Sequence, residues 1–515
     1  MSKLILPFFL FVAPLLAHAQ PRNWQNLDLR TDSTFGISTE KAYAELLKGK
    51  TPTQVIVAVI DAGIDTAHED LRAILWTNPK AGKKGDLHGW SFIGSAKGNV
   101  HYDNLELTRQ VRQNGPRFEG KDSSQIKPAD LTAFRLYRQE KAELDQHLRQ
   151  DSDILNGVGR FGIILDSITK AIGKDSPTLA DFHAYQPRTP REGRVREVVI
   201  GNLEQKDDFK AFKEDNIDRV LRHYKEETDC QYNVNYDPRP LYVGDDYFNS
   251  KQRDYGCPDV NGPDPTHGTH VAGIIAAVRD NNIGIMGIAD DVRIMAIRTV
   301  PDGDERDKDV ANAIRYAADH GAKVINMSFG KSYAQDKNAV DDAVRYAVRK
   351  DVLLVQAAGN SNEDIDTAAN FPNRIFADGT TAGAWIVVGA SGWKDDSTLK
   401  AHFSNYGRTA VDVFAPGEQI MSTIPGSKYA AFDGTSMASP VVAGLAALIR
   451  EYYPKLTAIQ VKNIILQSVV KPDHPVILTT GKTTQHVSMS DLCITGGVVN
   501  AYQALRLAAN LMDQP

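Results

Sequence analysis

Cysteine is scarce: three in 515 residues, at Cys230, Cys257 and Cys493. That excludes a disulfide-dense scaffold and any four-cysteine zinc cluster. Positive charge is not in surplus either. Lys and Arg number 59 against 65 Asp and Glu, a net −6, so the chain is not built to bind a phosphate backbone and no nucleic-acid partner is expected. A membrane span is also missing. The N-terminal apolar run, residues 4–16, is 13 long, where a spanning helix needs about 20. No internal repeat and no long low-complexity linker interrupts the chain.

What is present is core-forming sequence. Apolar residues make up 42% and charged residues 24%, enough for two or three average domains or one large domain with insertions. Residues 1–19 combine Lys3, the apolar run and a small-x-small end, Ala17-His18-Ala19. This reads as a secretory signal removed before Gln20, with an N-terminal anchor or buried helix as the alternative. The mature chain is then expected to be secreted, extracellular or periplasmic, without a stable membrane anchor. Export permits a disulfide, and Cys230 and Cys257, 27 apart, are the pair that could form one, although spacing alone fixes no geometry.

Residues 54–60 (QVIVAVI), 323–327 (KVINM), 352–356 (VLLVQ) and 385–389 (WIVVG) read as buried strands. Helix-period apolar residues lie between them at 310–320 and 339–350. Such alternation implies a parallel sheet covered by helices. Residues 100–250 differ. Leu136, Tyr137, Leu144 and Leu148 form one apolar stripe after Pro128 and Asp130. Phe161, Ile164, Leu165, Ile168 and Ile172 form a second, and Phe209, Phe212, Ile217, Val220, Leu221 and Tyr224 a third. This predicts a mainly helical insertion whose charges are solvated surface, between a first part of the sheet-bearing domain at 20–99 and a second at 251–515.

Three motifs carry chemistry. Asp61 ends the first strand in VIDAGID (59–65), His267 opens HGTHVAG (267–273), and Ser436 sits in GTSMASP (434–440) before an apolar helix. Each alone has a bland reading as a cap or turn residue. Together they supply an orienting carboxylate, a base and a nucleophile at element ends, where an α/β sheet gathers side chains. A serine hydroxyl is a poor nucleophile at neutral pH and needs an imidazole to take its proton. The imidazolium then needs a buried carboxylate. Asn360, after the strand at 352–356, can donate its amide to an oxyanion, although Gly-Asn is also a common turn.

The order Asp, His, Ser and the near letter-for-letter motifs resemble the subtilisin-like serine proteases, the subtilase family. The likeness covers about residues 50–95 and 255–505, ending in GVVNAY at 497–502. It implies a three-layer α/β fold, with a mostly parallel sheet flanked by helices and interrupted here by the large helical insertion. It implies a serine endopeptidase with Asp61, His267 and Ser436 as catalytic triad and Asn360 in the oxyanion hole. His270 matches a structural position. Ser328, Phe329 and Gly330 match the segment that pairs with an extended substrate, and Ala357, Ala358 and Gly359 the other wall of the primary pocket. No acidic residue lies in either wall, so apolar side chains are expected at the cleaved position. Asp70 and Asn281 fall where the family often builds a calcium site, here in a loop one residue longer than the shortest version, so structural Ca²⁺ is possible. No cofactor is required for the chemistry, and the partners are protein or peptide substrates.

Two departures stand out. Asp61 and His267 are 206 apart, and the insertion in that gap either gates or recruits substrate or merely decorates the fold. Between Gln20 and Asp61 there are 41 positions, too few for a separate folded prodomain, so no large N-terminal processing beyond signal removal is expected. The alternatives to a general endopeptidase are a narrow-specificity processing protease and an inactive interaction module on the same fold.

Overall fold

The computed structural model describes residues 20–80 and 85–512; the expected leader at 1–19 lies outside them. Strands β1 (Val55–Asp61) and β2 (Gly89–Ser91) precede helices α1 (Glu106–Phe118), α2 (Leu131–Ile172) and α3 (Pro190–Leu203). Then follow α4 (Thr266–Ala276), β3 (Val292–Arg298), α5 (Asp307–Asp319), β4 (Val324–Met327) and α6 (Lys337–Arg349). The last third holds β5 (Leu353–Ala357), β6 (Trp385–Ser391), β7 (Val413–Pro416) and the hairpin β8 (Ile420–Ile424) and β9 (Lys428–Phe432). It closes with α7 (Thr435–Tyr452), α8 (Ala458–Gln467) and α9 (Ala501–Met512).

Seven strands form one sheet in the order β2-β3-β1-β4-β5-β6-β7, and every neighbouring pair is parallel. Both faces are covered, which is why the strands are mostly apolar. In β1, Val57 and Val59 join the core under α4, α7, α8 and α9, while Ala58 and Ile60 join the core under α5 and α6. Side chains alternate because the strand period is two. The sheet's register sets Asp61 opposite Arg298 at the C-terminal edge.

The interior strand β3, second from the edge, escaped sequence reading. Its segment VRIMAIR carries arginine at both ends of the apolar stretch, yet Arg298 is buried, with its guanidinium donating to the Ala62, Ile93 and Val100 carbonyls. Residues 24–47 also belong to the core. Trp24, Ile37, Ala42 and Leu47 pack in the α7 and α9 cluster, and Ala501 N–H donates to the Ile37 carbonyl at 2.6 Å.

The insertion is helical as expected, but its first two apolar stripes are one uninterrupted 42-residue helix, α2. Its two ends serve separate cores. Phe134, Tyr137 and Leu144 pack with Leu107, Val111, Phe118 and Tyr232. Leu165 and Ile168 pack with Phe182, Val195, Val199, Phe209, Phe212 and Ile217. The expectation that the insertion's charges are solvated is wrong at its root. Asp103, Glu106, Arg109 and Arg239 are buried, in ion pairs that run to the segment 304–309 and to Lys331. A buried charge is tolerated only when paired, and partners from outside the insertion are Arg306, Asp309 and Lys331. All three cysteines are free, so Cys230 and Cys257 form no bridge: Cys257 N–H is engaged with the Ser91 carbonyl at 2.9 Å, and its thiol lies against Asn99.

Candidate active site

Asp61 is the last residue of β1 and is buried. One of its oxygens, Oδ1, accepts the Ala62 N–H at 2.7 Å and lies 2.8 Å from His267 Nδ1. A carboxylate accepts, so the Nδ1 proton is assigned to this bond, and Nε2 is the nitrogen left for proton transfer. His267 stands on the first turn of α4. That turn comes so close because Gly268 has no side chain: a Cβ there would lie 2.2 Å from the Gly63 carbonyl and 3.1 Å from Asp61 Cβ. Burial pulls the His267 imidazole down, but the charge and hydrogen bond of Asp61, with Asp264 behind, outweigh it and hold the pKa above 6.5.

Ser436 stands on the first turn of α7. Its hydroxyl donates to the Ser328 carbonyl at 3.2 Å, not to the imidazole. The Ser328 hydroxyl donates back to the Ser436 carbonyl at 2.9 Å and accepts from Asn326 Nδ2 at 2.9 Å, while Ser439 donates to Asn326 Oδ1 at 2.8 Å. These bonds stitch the start of α7 to the end of β4. Asn360 follows β5, and its Oδ1 accepts from the Thr435 N–H at 2.9 Å and the Thr435 hydroxyl at 2.8 Å. With the carbonyl end committed, the Nδ2 end is the free donor beside Ser436. The first-turn N–H groups of α7 add the positive end of its dipole.

The structure therefore joins Asp61 directly to His267, and Ser436 to Asn360 through Thr435. Ser328, Phe329 and Gly330 follow β4 outside any helix or strand. Opposite them, Ala357 and Ala358 are buried and Gly359 takes φ +103°, where a Cβ would lie 2.4 Å from Asn405 Nδ2. Any residue with a Cβ, alanine included, would collide there. His270 sits apart from this chemistry. It is buried, its Nε2 is 3.1 Å from the Ala430 carbonyl, and it stacks on Phe432, with burial pushing its pKa down to about 4.

The family model of the subtilases matches residues 53–491. The chain belongs to the subtilase family. A thermophilic serine proteinase from Bacillus sp. (strain AK1) is 45% identical over 198 residues, 38% of this chain and 44% of that one. Thermitase from Thermoactinomyces vulgaris is 45% identical over 184 residues, 36% of this chain and 60% of that one. The chain spans about half the length of these curated relatives. Among solved structures, proteases from Pseudoalteromonas arctica PAMC 21717 cover 95% of this chain and 100% of their own at 18% identity and a TM-score of 0.49.

In this subtilase the insertion reaches a hollow beside His267. This hollow, of about 150 Å³, is lined by His101 together with Asp264, Arg298, Pro301 and Asp302. The only sequence signal was position, since His101 opens the segment that departs from the family pattern. Asp70 and Asn281 are brought together, but as a hydrogen-bonded pair. Asn281 Nδ2 donates to Asp70 Oδ1 at 2.6 Å, and the Ile285 N–H and Tyr429 hydroxyl each reach Oδ2 at 3.3 Å. Asn281 Oδ1 accepts from the Ile283 N–H at 3.1 Å. Both carboxylate oxygens face donors, an arrangement that suits a buried carboxylate and does not fit an oxygen-ligated calcium ion.

Proposed function

We propose that this subtilase is a secreted serine endopeptidase acting through Asp61, His267 and Ser436. The observation that carries the reading is the 2.8 Å bond between Asp61 and His267, residues 206 apart in sequence, at the sheet edge that also carries Ser436 and Asn360. In the proposed cycle the Ser436 hydroxyl turns from the Ser328 carbonyl to His267 Nε2 and attacks the peptide carbonyl. His267 takes the proton and hands it to the leaving amine, while Asp61 holds the tautomer and the charge. The oxyanion is met by Asn360 Nδ2 and the Ser436 N–H. Water then repeats the attack and releases the acyl group. No cofactor or metal enters these steps.

Protein or peptide substrates would lie along Ser328, Phe329 and Gly330 by strand addition. The walls of the primary pocket carry no acid, which favours apolar side chains at the cleaved position. Secretion is proposed from the leader sequence, and among the described residues no helix is long and apolar enough to cross a membrane. A fluorophosphonate probe tests the reading. It should label the wild type and leave Ser436→Ala unlabelled; absence of labelling in the folded wild type would make the chain an inactive module. Peptide-library cleavage dominated by Lys or Arg would reject the apolar pocket.

A further inference from the structure

The residue that follows the proposed substrate edge, Lys331, is where the insertion grips the catalytic half. Its backbone exchanges two hydrogen bonds with Phe371, at 2.9 and 2.8 Å, which continues the line of Ser328, Phe329 and Gly330. Its side chain points inward and is 1% exposed. The ammonium donates to Glu106 Oε2 at 3.1 Å and to the Glu305 carbonyl at 2.8 Å, and pairs with Asp307 at 2.8 Å. Asp307 and Glu305 belong to the catalytic half. Glu106 is the first residue of α1 and belongs to the insertion.

Glu106 is itself fixed from several sides. Arg109 binds Oε2 at 2.7 Å, and the Glu106 N–H donates to Asp304 at 2.8 Å. Burial would raise its carboxyl, but Arg109 and Lys331 hold it down at about 2, so it is ionised. Further along, Gln110 donates to the Ala334 carbonyl at 3.2 Å and Tyr333 donates to Glu143 of α2 at 2.7 Å. The insertion thus clasps residues 331–334, immediately downstream of the edge that would receive the substrate backbone.

We propose that Glu106 is a positioning residue for residues 328–330, acting through Lys331, so that the insertion sets the register of the substrate edge. This rests on the protease reading above. A charge in a dry, paired site has few alternative positions, and a displaced ammonium carries its backbone with it. Misplacing a substrate-binding edge by about 1 Å can cost up to about 10²-fold.

The test compares Glu106→Gln with wild type on two substrates: a peptide anilide with four residues before the scissile bond, and a fluorophosphonate probe that needs no extended contact. The expected result is a KM for the peptide raised about tenfold, with kcat within about twofold and the probe's labelling rate unchanged. An unchanged KM overturns the proposal, and so does an equal fall in peptide cleavage and labelling. If Glu106→Gln does not fold, the double variant Glu106→Gln with Lys331→Met, which removes both buried charges, must show the same KM rise; a wild-type KM there also overturns it. Failure of the wild type to label would instead sink the protease reading.

Discussion

The Asn360 side chain gives its oxygen to Thr435, which leaves its nitrogen as the donor beside Ser436, the proposed nucleophile. Replacing Asn360 by Ala removes that donor while the Asp61–His267 pair stays in place. The expected outcome is a fall in kcat of about 10²–10³-fold with little change in KM, the loss that subtilisin suffers when its oxyanion asparagine is removed. Steady-state kinetics on a peptide anilide checks it. His267 gives a second prediction. The imidazole must be neutral to act as base, and Asp61 holds its pKa above 6.5. Activity should fall as pH drops through that raised value, with the midpoint of the acid limb in kcat/KM above 6.5. The linked stability runs the other way. A raised pKa favours the protonated folded state, so this contribution is full below the unfolded value and is lost as pH rises through the folded one. An acid limb centred below 6.5 would contradict the Asp61 effect. At this scale the Asp61–His267 contact was legible, because both residues stand in short motifs. The exchange of hydrogen bonds between Ser328 and Ser436 was not, since it depends on two elements meeting over 108 positions of sequence.

Among the elements, α2 is the one whose sequence misled. Gly157, Gly159 and Gly162 interrupt its apolar pattern, and the stripes on either side face different cores, so it reads as two helices. Packing at both ends carries the helix through the weak middle, where propensity alone would break it. A Cβ added at Gly157 or Gly159 would meet nothing within 4 Å. Gly157→Ala should therefore stabilise the fold by about 0.5–1 kcal/mol, through helix propensity alone. Urea denaturation measures it, and a loss of stability would mean that the helix is broken there. Strand β3 failed for a different reason. Arg293 and Arg298 bracket a short apolar stretch that sequence reading passes over, and Arg298 is buried with its donors given to carbonyls and Asn99. The strands at 324–327, 353–357 and 385–391 were legible because strands buried on both faces are mostly apolar.

For the whole molecule, the sequence marked where the insertion lies but not how it is attached. Charged residues at Asp103, Glu106, Arg109 and Arg239 look like surface until the partners at 304–309 and at Lys331 are placed against them. That pairing is set by tertiary structure and leaves no local pattern. The expected calcium ligands show the reverse case: Asp70 and Asn281 do meet, but each side-chain oxygen is already given to a protein donor. Chelation with EDTA should leave the thermal midpoint unchanged; a fall that added Ca²⁺ reverses would establish a cation site. The central claim is that Asp61, His267 and Ser436 act as one unit, and non-additivity tests it most directly. In peptide hydrolysis, Ser436→Ala should lower kcat by about 10⁶-fold, and adding His267→Ala to it should cost nothing further. If the two losses multiply, the imidazole and the hydroxyl work independently and the proposed mechanism is wrong.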